Sequence, residues 1–69
     1  MNDKQLRNRI TIINDPKIAF GAKCTSMYDL RRSLMLNSKW DDVPCELKIL
    51  ISKYADIYQK EMYPDEMGA

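Results

Sequence analysis

The stretch WDDVPCELKILISKYADIYQKEM, residues 40–62, decides the fold because it joins a helix start signal to about five turns of amphipathic pattern. Asp41 and Asp42 place negative charge where the helix dipole favours it, and Pro44 suits the first helical position, where no N–H is needed. Apolar residues then recur at helical spacing on one stripe: Val43, Leu47, Leu50, Ile51, Tyr54, Ile57, Tyr58 and Met62. We therefore predict a helix over residues 43–62.

The N-terminal segment carries a shorter helical pattern. Leu6, Ile10 and Ile13 follow one another at spacings of four and three residues, which predicts a helix over residues 3–14. The β-branched residues within 8–13 also suit an edge strand donated to a partner's sheet. A single strand would have no evident partner in this chain, so the helix is favoured.

A second start signal precedes the middle of the chain. Ser26 and Asp29 have the spacing of a capping box, and an apolar face follows them, which predicts a helix over residues 25–37. Asn37 is the predicted left-handed cap of this helix. Upstream, Phe20 belongs either to a short helical turn or to a loop that its ring holds in place.

These segments predict a single all-α domain over residues 1–69, a small three-helix arrangement built on an antiparallel helical hairpin. The second and third helices are joined by a short turn, so they would pack antiparallel. The first helix would then lie across the open apolar face of the hairpin. Residues 64–69 follow the last helix and are expected to form a frayed tail.

Composition argues against catalysis, metal binding and cofactors. The chain has no histidine, its two cysteines stand apart, and its two glycines cannot form a phosphate loop. We therefore predict a protein that is not an enzyme and needs no metal or cofactor. The absence of an apolar run near 20 residues and of a signal peptide predicts a cytoplasmic protein, with both thiols reduced.

Charge is distributed unevenly along the chain. Residues 1–39 carry eight basic and three acidic side chains, a net charge of +5, whereas residues 40–69 carry three basic and seven acidic ones, a net charge of −4. The basic part could contact nucleic-acid phosphates, and this is the alternative function. Its candidate residues are Lys4, Arg7, Arg9, Lys17, Lys23, Arg31, Arg32 and Lys39.

The favoured hypothesis is a small helical module without catalysis that binds another protein or itself, because apolar residues are left over on the backs of its helices: Ile12, Leu36 and Ile49. Leu36 and Ile49 point away from the predicted apolar stripes, and Trp40 stands at the turn between two helices. With Arg31 and Arg32 at the rim, these are the predicted partner-binding residues.

Complementary charge in the two parts of the chain also predicts a homodimer. In its small size, helical hairpin and charge polarity the chain resembles the small helical accessory proteins that phages and viruses use against host machinery, or small virion components, and this resemblance implies an accessory or structural role.

Overall fold

The computed structural model describes residues 3–63, and three α-helices account for most of them. Helix α1 spans Asp3–Ile13, α2 spans Phe20–Leu36 and α3 spans Cys45–Met62, with a short 3₁₀ helix at Trp40–Asp42 before α3. No strand occurs within residues 3–63, so the all-α prediction is confirmed and the edge-strand alternative for residues 8–13 is wrong. The predicted tail at 64–69 lies outside the described residues.

The core lies where α1 crosses the hairpin that α2 and α3 form. Met27 of α2 and Ile51 of α3 are fully buried at its centre, and Val43 packs there just before α3 begins. The buried cluster consists of Leu6, Ile10, Met27, Leu30, Leu34, Val43, Leu47 and Ile51. Each helix contributes one apolar stripe, so a chain of this size closes a single core.

Helix α2 begins at Phe20, five residues before the predicted start, and this corrects the sequence-based boundary. Ser26 therefore lies inside the helix and does not cap it. The N-cap residue is Ala19, which has no side-chain hydrogen bond to offer. The ring of Phe20 instead meets that of Tyr54 on α3 edge to face, with 6.0 Å between centroids. A contact of this kind stabilises the first turn without a capping side chain.

The C-terminal end of α2 differs from the prediction by one residue. Asn37 has φ −95°, outside the left-handed region, whereas Ser38 adopts φ 56°. The Ser38 N–H donates to the Met35 carbonyl at 3.1 Å, and the Lys39 N–H donates to the Leu34 carbonyl at 2.8 Å. These two bonds define a Schellman motif, in which the residue after the C-cap must be left-handed.

Helix α3 begins at Cys45, so Pro44 is its N-cap and not its first helical residue. Pro44 has an extended ψ of 142°, and its carbonyl accepts hydrogen bonds from the N–H groups of Leu47 and Lys48. The predicted acidic cap is also displaced, because Asp41 and Asp42 lie in the preceding 3₁₀ helix. That extra turn carries the chain around the end of the hairpin before α3 starts.

Candidate functional site

Several large apolar side chains remain exposed on the helices. Leu36 is 76% exposed, Ile49 70% and Ile12 68%. All three were expected to point away from the apolar stripes of their helices, and the structure places them so. A single exposed apolar side chain is ordinary on a protein surface, so neighbours decide whether it forms a site.

Leu36 has such neighbours, because it lines a shallow groove of about 410 Å³. We call this surface the Leu36 groove, and its lining residues are Tyr28, Arg31, Arg32, Met35, Leu36 and Gln59. Three of the five predicted partner-binding residues, Leu36, Arg31 and Arg32, therefore share one surface. Met35 adds a second apolar side chain that is half exposed.

The spacing of residues along α2 builds one side of the groove. Tyr28, Arg32 and Leu36 recur every fourth residue, so they lie above one another on the helix surface. At 1.5 Å per residue this row is about 12 Å long, or roughly two helical turns. Gln59 comes from α3, so the groove exists only because the hairpin closes.

Arg31 is fixed at the side of the groove by two residues of α3. Its Nη1 donates to Asp56 Oδ1 at 2.8 Å, and its Nη2 donates to Gln59 Oε1 at 3.1 Å. Its side chain is only 13% exposed, whereas that of Asp56 is 64% exposed. Two hydrogen bonds from the planar guanidinium set its orientation before any partner arrives.

The two tyrosines beside Arg31 fix the other end of the groove. The ring centroids of Tyr28 on α2 and Tyr58 on α3 lie 4.7 Å apart, with an angle of 41° between the ring planes. Both side chains are half-buried. The ring contact packs Tyr28 against α3, and this places its ring at the edge of the groove.

Arg32 differs from Arg31 although the two are adjacent in sequence. It is exposed, and it makes no ion pair with any residue in 3–63. With Asp56 neutralising one of the two arginines, the groove keeps a net positive charge. The guanidinium of Arg32 is suited to a carboxylate, which it can bind through two parallel hydrogen bonds.

Trp40 and Ile49 do not line the Leu36 groove. Trp40 is half-buried and packs against the core, and the Lys48 ammonium lies 5.9 Å from the centre of its ring. Ile49 is exposed on α3. Partner binding by these two residues stays a prediction, and it would need a second surface.

The basic residues predicted for the nucleic-acid alternative have different environments. Arg7 pairs with Glu46 at 3.1 Å, Arg31 pairs with Asp56, and Lys23 lies over a tyrosine ring. Both ion pairs join an arginine of the basic part of the sequence to a carboxylate on α3, so the folded chain pairs some of the opposite charges of its two parts. The others are exposed and make no ion pair within residues 3–63: Lys4, Arg9, Lys17, Arg32 and Lys39.

The two thiols are free and differ in exposure. Cys24 is buried and Cys45 is exposed. Burial raises the pKa of the Cys24 thiol, and the negative charge of Glu61 raises it further. Across residues 3–63, no group of three or more candidate ligand side chains is placed to hold a metal ion, and no helix could cross a membrane.

Sequence reasoning missed Tyr28, Met35 and Gln59 as members of the groove. The helical spacing from Leu36 back to Arg32 and Tyr28 could have identified Tyr28, but Gln59 reaches the site only through tertiary packing.

The comparisons with known proteins leave the site to be interpreted from its geometry. No protein-family model matches the sequence, and neither the curated proteins nor the solved structures contain a significant match.

Proposed function

We propose that this chain is a small non-catalytic helical module that binds another protein through the Leu36 groove, of the type that phages and viruses use as accessory or structural proteins. One observation carries the proposal. Leu36, an apolar side chain that is 76% exposed, shares a groove with two arginines, one of them held in place by α3. Arginine, tyrosine and methionine are enriched in protein interfaces, and all three line this groove.

The energetics of the groove also favour docking. Burying a leucine or methionine side chain contributes about 1.5–3 kcal/mol, and here Leu36 and Met35 are adjacent and exposed. Binding normally costs about 0.5–1.5 kcal/mol for each flexible side chain that is ordered. Arg31 is already ordered by Asp56 and Gln59, so that cost is reduced at this position.

Capture of partners from the native source with matched variants tests the proposal. The bait is the wild-type chain, and Leu36→Asp and Arg32→Glu change the groove. Ile12→Asp is the control, because Ile12 is similarly exposed but lies on α1. We expect mass spectrometry to identify the same protein with the wild-type and control baits, and to find it depleted with both groove variants.

Circular dichroism should show unchanged helicity for all three variants, because the substituted side chains are exposed. A protein retained equally by Leu36→Asp would contradict the proposal. Recovery of nucleic acid without a protein partner would contradict it as well.

The alternative function, nucleic-acid binding by the basic N-terminal part, is supported by the five exposed basic side chains that make no ion pair within residues 3–63. Such binding must weaken steeply as salt rises, because it releases counterions from the phosphates. Gel-shift assays at low and moderate salt therefore discriminate between the two functions. Binding at low salt that Arg9→Glu and Arg32→Glu abolish would support the alternative, and its absence would eliminate it.

A reducing compartment such as the cytoplasm is the proposed working environment. The support comes from the cysteines, since Cys24 and Cys45 are both free and Cys45 is exposed. An exposed free thiol in an oxidising compartment would be open to disulfide exchange. Alkylation of the protein in its native source, followed by mass spectrometry, should find both cysteines as thiols.

A further inference from the structure

The chemistry of the Leu36 groove restricts what can bind in it. Its apolar part is formed by Met35 and Leu36, and its charged part by Arg31 and Arg32 against the single carboxylate of Asp56. An occupant must therefore offer apolar side chains and negative charge on the same face. This reasoning rests on the proposed function, and it specifies the partner's chemistry.

We infer that the Leu36 groove binds an amphipathic helix of a partner protein, with Asp or Glu placed beside the apolar stripe of that helix. The row from Tyr28 to Leu36 follows one i, i+4 ridge on the surface of α2. A helix laid along it can place residues at i, i+3, i+4 and i+7 into the groove. About two turns of a partner helix match the 12 Å length of the row.

The two arginines explain why the partner helix must be acidic. Arg32 is exposed and has no ion pair within residues 3–63, so a carboxylate of the partner provides its missing counter-charge. Arg31 keeps most of its donors after bonding to Asp56 and Gln59. A basic helix would meet the uncompensated positive charge of Arg32 and be disfavoured.

A second copy of the chain is a poorer occupant of this groove. In a two-fold contact centred on the groove, each surface meets its own counterpart. The uncompensated charge of Arg32 in one copy would then face the same charge in the other. Only a contact between the groove and a different surface would avoid this repulsion.

Selection from a library of random peptides, each long enough for about four helical turns, tests the inference. Peptides are selected on the wild-type chain and counter-selected on Leu36→Asp. We expect enriched sequences with apolar residues at i, i+3, i+4 and i+7 and with Asp or Glu flanking them. Enrichment of neutral or basic sequences, or no enrichment at all, would overturn the inference.

Affinities of a synthetic peptide from the selection then test the arginine. We expect Arg32→Glu to weaken binding about tenfold or more and Arg32→Lys to weaken it less, because lysine keeps the charge but loses the bidentate geometry. Ile12→Asp should leave the affinity unchanged. Equal binding by the wild type and Arg32→Glu, or by a peptide with Lys in place of its acidic residues, would refute the role of charge.

The two proposals fail in different ways. If a captured native partner depends on Leu36 but the selected peptides are not acidic, the docking function stands and the inference about its partner is wrong. If capture is insensitive to Leu36→Asp, both are wrong. Self-association of the full wild-type chain that Leu36→Asp abolishes would assign the groove to a second copy and overturn the inference.

Discussion

Arg31 of α2 donates a hydrogen bond from Nη1 to Asp56 Oδ1 of α3 across 2.8 Å, and this ion pair ties the two helices of the hairpin together beside the Leu36 groove. The arginine is largely buried and the aspartate is largely exposed. The pair therefore has two roles. It stabilises the packing of α2 on α3, and it orients one arginine toward the proposed docking surface.

A double-mutant cycle with Arg31→Ala and Asp56→Ala should give a coupling free energy of about 1 kcal/mol. The value is above that of a typical surface pair because Arg31 is mostly buried, and it is limited because water screens Asp56. Arg31→Ala alone should destabilise more than Asp56→Ala, since it also removes the bond to Gln59. Urea denaturation measures the unfolding free energies.

The pair Arg7–Glu46 is the matched control, because both of its side chains are exposed. Its coupling should be smaller, at about 0.2–0.5 kcal/mol. Equal couplings for the two pairs would show that burial of Arg31 adds nothing.

Ser38→Gly should stabilise the protein by about 0.5–1 kcal/mol. Ser38 holds φ 56°, a conformation that glycine adopts without the steric cost that a side chain carries. Thermal and urea unfolding measure the change. Ser33→Gly is the control, because Ser33 lies inside α2, where glycine should destabilise by a similar amount. Destabilisation by Ser38→Gly would show that the loop does not hold this left-handed residue in solution.

The two cysteines should differ sharply in their reaction with a thiol reagent. Cys45 is exposed and should react within the time of mixing. Cys24 is 3% exposed and should react only when the protein unfolds locally or globally. Absorbance with a chromogenic disulfide reagent should show one equivalent at once and the second on adding denaturant. Cys45→Ser should remove the fast phase only. Two fast equivalents from the wild type would contradict the buried position of Cys24.

The buried Cys24 should also make the protein sensitive to alkaline pH. Its folded-state pKa is raised above 9.0 by burial and by Glu61, so the folded state holds the thiol proton more tightly than the unfolded state does. The resulting stability is complete below pH 9 and is lost as pH rises through the folded-state pKa. Unfolding free energies should therefore fall more steeply above pH 9 in the wild type than in Cys24→Ala. Parallel curves would contradict this.

Self-association is the last prediction, and its mode can be read from its dependence on salt. A homodimer held by the basic and acidic parts of the chain should loosen as salt rises, whereas one held by Leu36 and Ile49 should not. In the apolar case, Leu36→Asp or Ile49→Asp should release a monomer with a lower Tm. Sedimentation equilibrium measures the mass. A monomer at the highest concentration, with a Tm that dilution does not change, would rule out the dimer.

The sequence by itself determined the all-α fold, most of α3 and the outward direction of Leu36 and Ile49. These features depend on helical periodicity, which is a property of residues within a few positions of one another. The same local rules predicted that α2 begins near Ser26, and there they were wrong. Its first turn depends on Phe20 meeting Tyr54, a residue far away in the sequence.

Only the tertiary structure decided which exposed residues share a surface. Leu36 and Ile49 are equivalent in the sequence, since each is an apolar residue off its helix stripe, yet only Leu36 lies beside Met35, Arg32 and Gln59 in a groove. The reason is that the groove forms where α3 packs against α2, and that contact also holds Arg31 through Asp56. Periodicity tells which way a side chain points, but the packing of helices determines what it meets there.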